Sequence, residues 1–151
     1  MKELSLADYQ ALARFRYEIR EFLNFSEQAV RAAGIEKQQY QFMLAIKGMP
    51  EEMRPRIREL AEQLQIQHHS AVELTNRLEA NGYVRRERAQ DDRREVLLSL
   101  TPKGERTLAE LALHHHEQLR LAGPRLIEAL QRVHTGNGRK RAGSRKQTKK
   151  K

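Results

Sequence analysis

The stretch DDRREVLLSLTPKGERTL, Asp91 to Leu108, sets two acids and two arginines directly before an alternating apolar run and a Thr-Pro pair. An arginine at the tip of a hairpin suits a polyanion. Its planar guanidinium can enter the narrow, electronegative minor groove of duplex DNA, where it reads width and potential more than base identity. Arg94 is the candidate for that role. Asp92, two residues earlier, is placed to hold the Arg94 guanidinium by a charge-assisted hydrogen bond, which would lower the entropy lost on binding. Arg93, with Arg85, Arg86 and Arg88 of the preceding segment, supplies candidates for phosphate contacts.

Other constellations carry less. His114, His115 and His116 are consecutive, and on a helix they point about 100° apart, so they cannot close on one metal. The segment HEQLR, His116 to Arg120, fails the zinc-protease pattern because Arg120 stands where a second histidine is required. No Ser/His/Asp set, pair of catalytic acids or glycine-rich phosphate loop is present, and there is no cysteine to ligate zinc or form a disulfide. The expectation is a protein that is not an enzyme and uses no metal or cofactor.

Apolar periodicity defines the elements that must carry the arginines. Leu12, Phe15, Ile19, Phe22 and Leu23 recur at helical intervals over Leu4 to about Ala33, predicting one long helix that ends at Gly34. A second, with Tyr40, Met43, Leu44 and Lys47, runs to Gly48, and Pro50 and Pro55 mark a break. A short third helix has Ile57, Leu60, Ala61 and Leu64 on its inner face. The link Gln65-Ile66-Gln67 then leads to a fourth with Ala71, Leu74 and Leu78 inside, capped by Asn81-Gly82. Two strands follow, Tyr83 to Arg88 and Glu95 to Leu100, with Ala89 to Arg94 as their hairpin tip. Thr101 and Pro102 open the next helix as N-cap and first-turn residue. Leu108, Leu111, Ala112 and Leu119 give that helix its apolar face; Gly123-Pro124 is expected to bend the chain into a last helix, Arg125 to about His134.

Two helices joined by a tight link and followed by a hairpin have the layout of a winged helix-turn-helix. Gln65 occupies the link position where glycine is usual. With Ala71, Leu74 and Leu78 facing inward, the outer face of the fourth helix offers Gln67, His68, His69, Ser70, Val72, Glu73, Asn76 and Arg77. Residues at the helix start reach the floor of a major groove, which favours Gln67, His68, His69 and Glu73 for base edges. Ser70 and Arg77 are better suited to phosphates or to supporting the helix.

At these residues the chain resembles the MarR-type transcriptional regulators. Their wing motif, Asp-x-Arg, a short strand, then Leu-Thr-x-x-Gly, stands here as Asp92-Arg93-Arg94, Glu95 to Ser99, and Leu100-Thr101-Pro102-Lys103-Gly104. LQIQHHSAVELTNRLEANGYVRRE is similar to the family's recognition helix and its exit, and the likeness extends from Leu4 to roughly His134. The resemblance implies the same Asp92–Arg94 pair. It also implies regulation by a small anionic or aromatic effector lodged between the dimer region and the DNA-binding domain.

The expected architecture is mainly α with a small β wing (α+β): a winged helix-turn-helix over 35–101, flanked by helical dimerisation segments 1–34 and 102–134. Leu12, Phe15, Ile19, Phe22, Leu126, Ile127 and Leu130 are the candidate homodimer contacts, since the terminal helices hold more apolar surface than a lone wing domain can bury. The expected function is a dimeric, sequence-specific regulator on a pseudo-palindromic double-stranded DNA operator; an architectural DNA binder without an effector is the alternative. The net charge of +9 is concentrated at one end: residues 135–151 hold eight of the 29 basic residues and no acid, leaving 21 against 20 acids elsewhere. Such a tail is expected to be disordered and to attract polyanions diffusely. No apolar run approaches the ~20 residues of a membrane span, so the expected setting is cytoplasmic.

Overall fold

The computed structural model describes residues 3–136; the rest of the basic tail, 137–151, lies outside the described residues. Seven elements follow in order: α1 (Leu6–Ala32), α2 (Lys37–Lys47), α3 (Ile57–Leu64), α4 (His68–Ala80), β1 (Val84–Arg88), β2 (Val96–Leu100) and α5 (Pro102–Thr135). The fold is mostly helical with one two-stranded antiparallel hairpin, in which Val84 pairs with Leu100 and Arg88 with Val96. No helix among the described residues is long and apolar enough to cross a membrane.

The chain divides into two compact units, a central one over Ser26–Glu117 and a terminal one made of the chain up to Phe25 and from Gln118 on. In the central unit, Phe42, Met43, Leu60, Leu78 and Leu98 are essentially inaccessible and form the centre of a core that Val30, Leu108 and Leu111 complete. The last turns of α1 and the first turns of α5 are therefore part of the winged-helix core. In the terminal unit, Ala11 and Ala129 are buried, as is the Glu18 carboxylate, which pairs with Arg14.

Local chemistry accounts for the corners. Gln65 adopts the left-handed conformation (φ 53°) at the α3–α4 link, so the Cβ penalty that glycine would avoid is borne here by glutamine. The Ile66 N–H donates to Ala61 O (3.0 Å), closing the last turn of α3. The end of α4 is a Schellman cap: Gly82 (φ 75°) donates to Glu79 O (3.0 Å) and Tyr83 N–H to Leu78 O (2.9 Å).

One expectation is corrected. Gly123-Pro124 does not bend the chain into a separate last helix; α5 runs unbroken through Pro124 for 34 residues. Proline removes one helical hydrogen bond and crowds the carbonyl four residues back. The inner face nevertheless stays in phase across it, with Leu108, Leu111, His115, Ala122, Leu126 and Ala129 at intervals that one helix keeps on one side.

Candidate nucleic-acid interface

The hairpin is anchored at its base by the motif that follows it. Thr101 caps α5 by accepting the Gly104 N–H on Oγ1 (3.1 Å), and its own N–H donates to Tyr83 O (3.0 Å). Gly104 packs so closely on the Tyr83 backbone that a Cβ would collide with it. The Leu-Thr-x-x-Gly pattern is thus a joint that ties the start of α5 to the α4–β1 corner.

On the other side the segment before α3 reaches the hairpin. The Leu98 N–H donates to Pro55 O (2.8 Å), and the Arg56 N–H turns back onto Arg54 O (2.8 Å), a tight turn centred on Pro55 with an arginine on each side of it. Glu95 takes one from each oxygen: Oε2 accepts from Arg54 Nη1 (2.6 Å) and Oε1 from Arg56 Nη1 (2.6 Å). Arg56 also donates through Nε to the buried Glu59 (3.0 Å). Arg54 further forks onto Asp91, Nη1 to Oδ1 at 3.0 Å and Nη2 to Oδ2. Hydrogen bonding from Arg54 holds the Asp91 carboxyl down at about 2, so it is ionised at any ordinary pH.

The arginines expected to meet phosphate are distributed unequally. Arg86 donates to Glu79 on α4 (2.6 Å) and to Asn76 Oδ1 (2.7 Å), tying β1 to α4. Arg85 contacts Ser99 Oγ (3.1 Å) and Glu87 (2.7 Å). Arg88 Nη1 donates to the Arg93 carbonyl (2.7 Å) and braces the tip. Arg93 and Arg94 are exposed, and their guanidiniums make no hydrogen bond or ion pair with another described residue. The expected Asp92 clamp on the Arg94 guanidinium is absent: Asp92 Oδ1 accepts the Arg94 backbone N–H instead (3.0 Å). A carboxylate two residues back on a tight turn reaches the main chain more readily than a long side chain extending into solvent.

The α4 face shows the same division. Gln67, His68, His69 and Glu73 are exposed and unpaired among the described residues, Ser70 and Val72 are half-buried, and Asn76 is held by Arg86. Arg77 reaches Glu36 at 3.4 Å. Ala71, Leu74 and Leu78 are buried as the periodicity required, and Thr75 is buried with its hydroxyl donating to Ala71 O (2.7 Å). Arg54 and Glu95 are the residues that the sequence reading missed. Nothing in local spacing links Arg54 to Asp91, and the Arg-Pro-Arg repeat beside an edge strand is the only hint.

In the terminal unit Leu12, Ile127 and Leu130 are exposed, whereas Phe15, Ile19, Phe22 and Leu126 are half-buried. Among the described residues no group of three or more His, Asp or Glu side chains converges as a metal site would.

A tightly linked α3–α4 pair, an exposed polar face at the start of α4, and a braced hairpin with two exposed arginines at its tip define a winged helix-turn-helix fold. Residues 33–95 match the MarR family. The fold is that of AbsC, a MarR family transcriptional regulator from Streptomyces coelicolor, at 22% identity and a TM-score of 0.69, covering 91% of this chain and 94% of that one. It is likewise that of a MarR family protein from Bacillus stearothermophilus (21% identity, TM-score 0.66, covering 89% and 99%). A MepR mutant from S. aureus, determined bound to an oligodeoxyribonucleotide, has the same fold (18% identity, TM-score 0.60, covering 89% and 94%). No curated protein sequence matches the chain. The matched segment is similar to the MarR family, and the fold is the one shared by these MarR family transcriptional regulators.

Proposed function

We propose that the chain binds double-stranded DNA sequence-specifically as a homodimer on a pseudo-palindromic operator. The carrying observation is the division of charge on the central unit. Among the described residues, Arg54, Arg56, Arg86 and Arg88 are engaged by protein partners, while Arg93 and Arg94 at the hairpin tip and the four side chains at the start of α4 are left free. A helix start with unpaired Gln, His and Glu reads base edges in a major groove, and a free guanidinium on a wing enters the adjacent minor groove. The MepR mutant bound to an oligodeoxyribonucleotide supports this reading by its fold.

The homodimer rests on the terminal unit, where Leu6, Tyr9, Leu12, Ile127 and Leu130 are left exposed. Two-fold pairing sets two reading helices one DNA turn apart, about 34–36 Å. Modulation by a small aromatic or anionic effector is carried by the family resemblance.

The test is a selection of binding sites from random duplexes, followed by titration of parent and Arg94→Ala at two salt concentrations. Arg94→Ala is expected to weaken binding to every selected operator while leaving the consensus intact. Equal affinity and consensus for variant and parent would refute the wing assignment. A steep salt slope with no consensus at all would favour the architectural alternative.

A further inference from the structure

A continuous chain of polar contacts runs from the segment before α3 to the backbone of the free arginine. The Arg54 guanidinium forks onto the Asp91 carboxylate, and Asp91 Oδ1 in turn accepts the Asp92 N–H (3.0 Å). Asp92 Oδ1 accepts the Arg94 N–H (3.0 Å). The same guanidinium grips Glu95 on the far side of Arg94 (2.6 Å). Residues on both sides of Arg94 are thus tied to one group, 37 or more residues away in sequence, while the Arg94 guanidinium has no hydrogen bond or ion pair among the described residues.

We propose that Arg54 is a positioning residue for the wing: through Asp91 and Glu95 it fixes the backbone from which Arg94 projects, and so sets the presentation of that guanidinium to DNA. The DNA part of this rests on the function proposed above. An isolated exposed ion pair would contribute little. This one differs in three respects. It is bidentate, it shares Glu95 with Arg56, and it sits beside the Leu98–Pro55 hydrogen bond that already holds the two segments together. Its ordering effect also falls on the hairpin tip, alongside the Arg88–Arg93 carbonyl bond and the Ala89–Glu95 and Glu95–Asp92 turn bonds.

The sign of one substitution separates positioning from simple charge. Asp91→Asn removes a negative charge beside the proposed DNA contact, so charge alone would tighten binding. Positioning requires the opposite: affinity of full-length protein for a selected operator falls about fivefold to tenfold, the scale of a charge-assisted contact. In an Arg94→Ala background the same change has no further effect, because the clasp acts through Arg94. Tighter or unchanged binding, or additive losses, overturns the proposal.

A second readout is independent of DNA. Amide hydrogen exchange at Ala89 and Glu95, whose N–H groups close the hairpin tip, is expected to accelerate several-fold in Asp91→Asn and in Arg54→Gln, with amides of α4 unchanged. Unaltered exchange at the tip would refute positioning. Accelerated exchange in a protein that binds no duplex would instead leave the clasp standing and refute the DNA-binding reading.

Discussion

Gly104 lies against the Tyr83 carbonyl with no room for a Cβ between them, while Thr101 spans the same corner by donating its N–H to that carbonyl (3.0 Å). One backbone contact therefore locks the base of the hairpin to the first turn of α5. Gly104→Ala must push the two segments apart, and overpacking of this kind costs about 1–3 kcal/mol. Urea denaturation is expected to show that loss. A variant as stable as the parent would mean that the corner relaxes freely.

The terminal unit leads to a second prediction. Burying a large apolar side chain is worth ~1.5–3 kcal/mol, so several of the terminal residues together can hold two copies. Phe15→Glu combined with Ile127→Glu should convert a dimer to a monomer in sedimentation and abolish operator binding with it. A parent that sediments as a monomer at micromolar concentration would remove the dimer from the proposed function.

Base reading is predicted to lie in the exposed, unpaired residues at the start of α4. Substitution of His69 or Glu73 should change which bases are selected, since a direct contact is worth about 1–3 kcal/mol of discrimination. Asn76→Ala should act differently: its side-chain oxygen holds Arg86, so the change loosens β1 on α4 and lowers affinity without altering the consensus. Selection experiments on the three variants decide this, and an unchanged consensus for both His69 and Glu73 variants would count against α4 as the reader.

His115 is the one buried histidine of the consecutive three, 5% exposed, with its Nε2 near Ser26 Oγ (3.2 Å) and its ring edge-on to Tyr40 at 4.5 Å. Burial lowers its pKa below the ordinary value of 6.5, so the folded protein holds it neutral. With the folded pKa depressed, the unfolded chain binds the proton more readily. The contribution of His115 is therefore full above about pH 6.5 and is lost as the pH falls through the folded value. His115→Phe, which retains a ring against Tyr40, should flatten the fall in stability below pH 6.5. Denaturation of parent and variant across pH 5 to 7.5 checks it, and parallel curves would mean that His115 does not titrate in that window.

The sequence by itself determined what repeats at short range. The helical period places Ala71, Leu74 and Leu78 inside, because a side chain's direction follows from its position along a regular element. The Thr101–Gly104 joint was legible for the same reason: capping is a contact across three residues. The continuity of α5 was hidden by a strong local breaker, Gly123-Pro124, whose cost is outweighed by an inner face that stays in phase from Leu108 to Ala129. Charge partners were not legible at all. A guanidinium pairs with whichever carboxylate folding brings near, so only the tertiary structure decided that Arg54 holds Asp91 and Glu95, that Arg86 is spent on Asn76 and Glu79, and that Arg93 and Arg94 are left free among the described residues. Coulomb attraction depends on distance in space and carries no period along the chain.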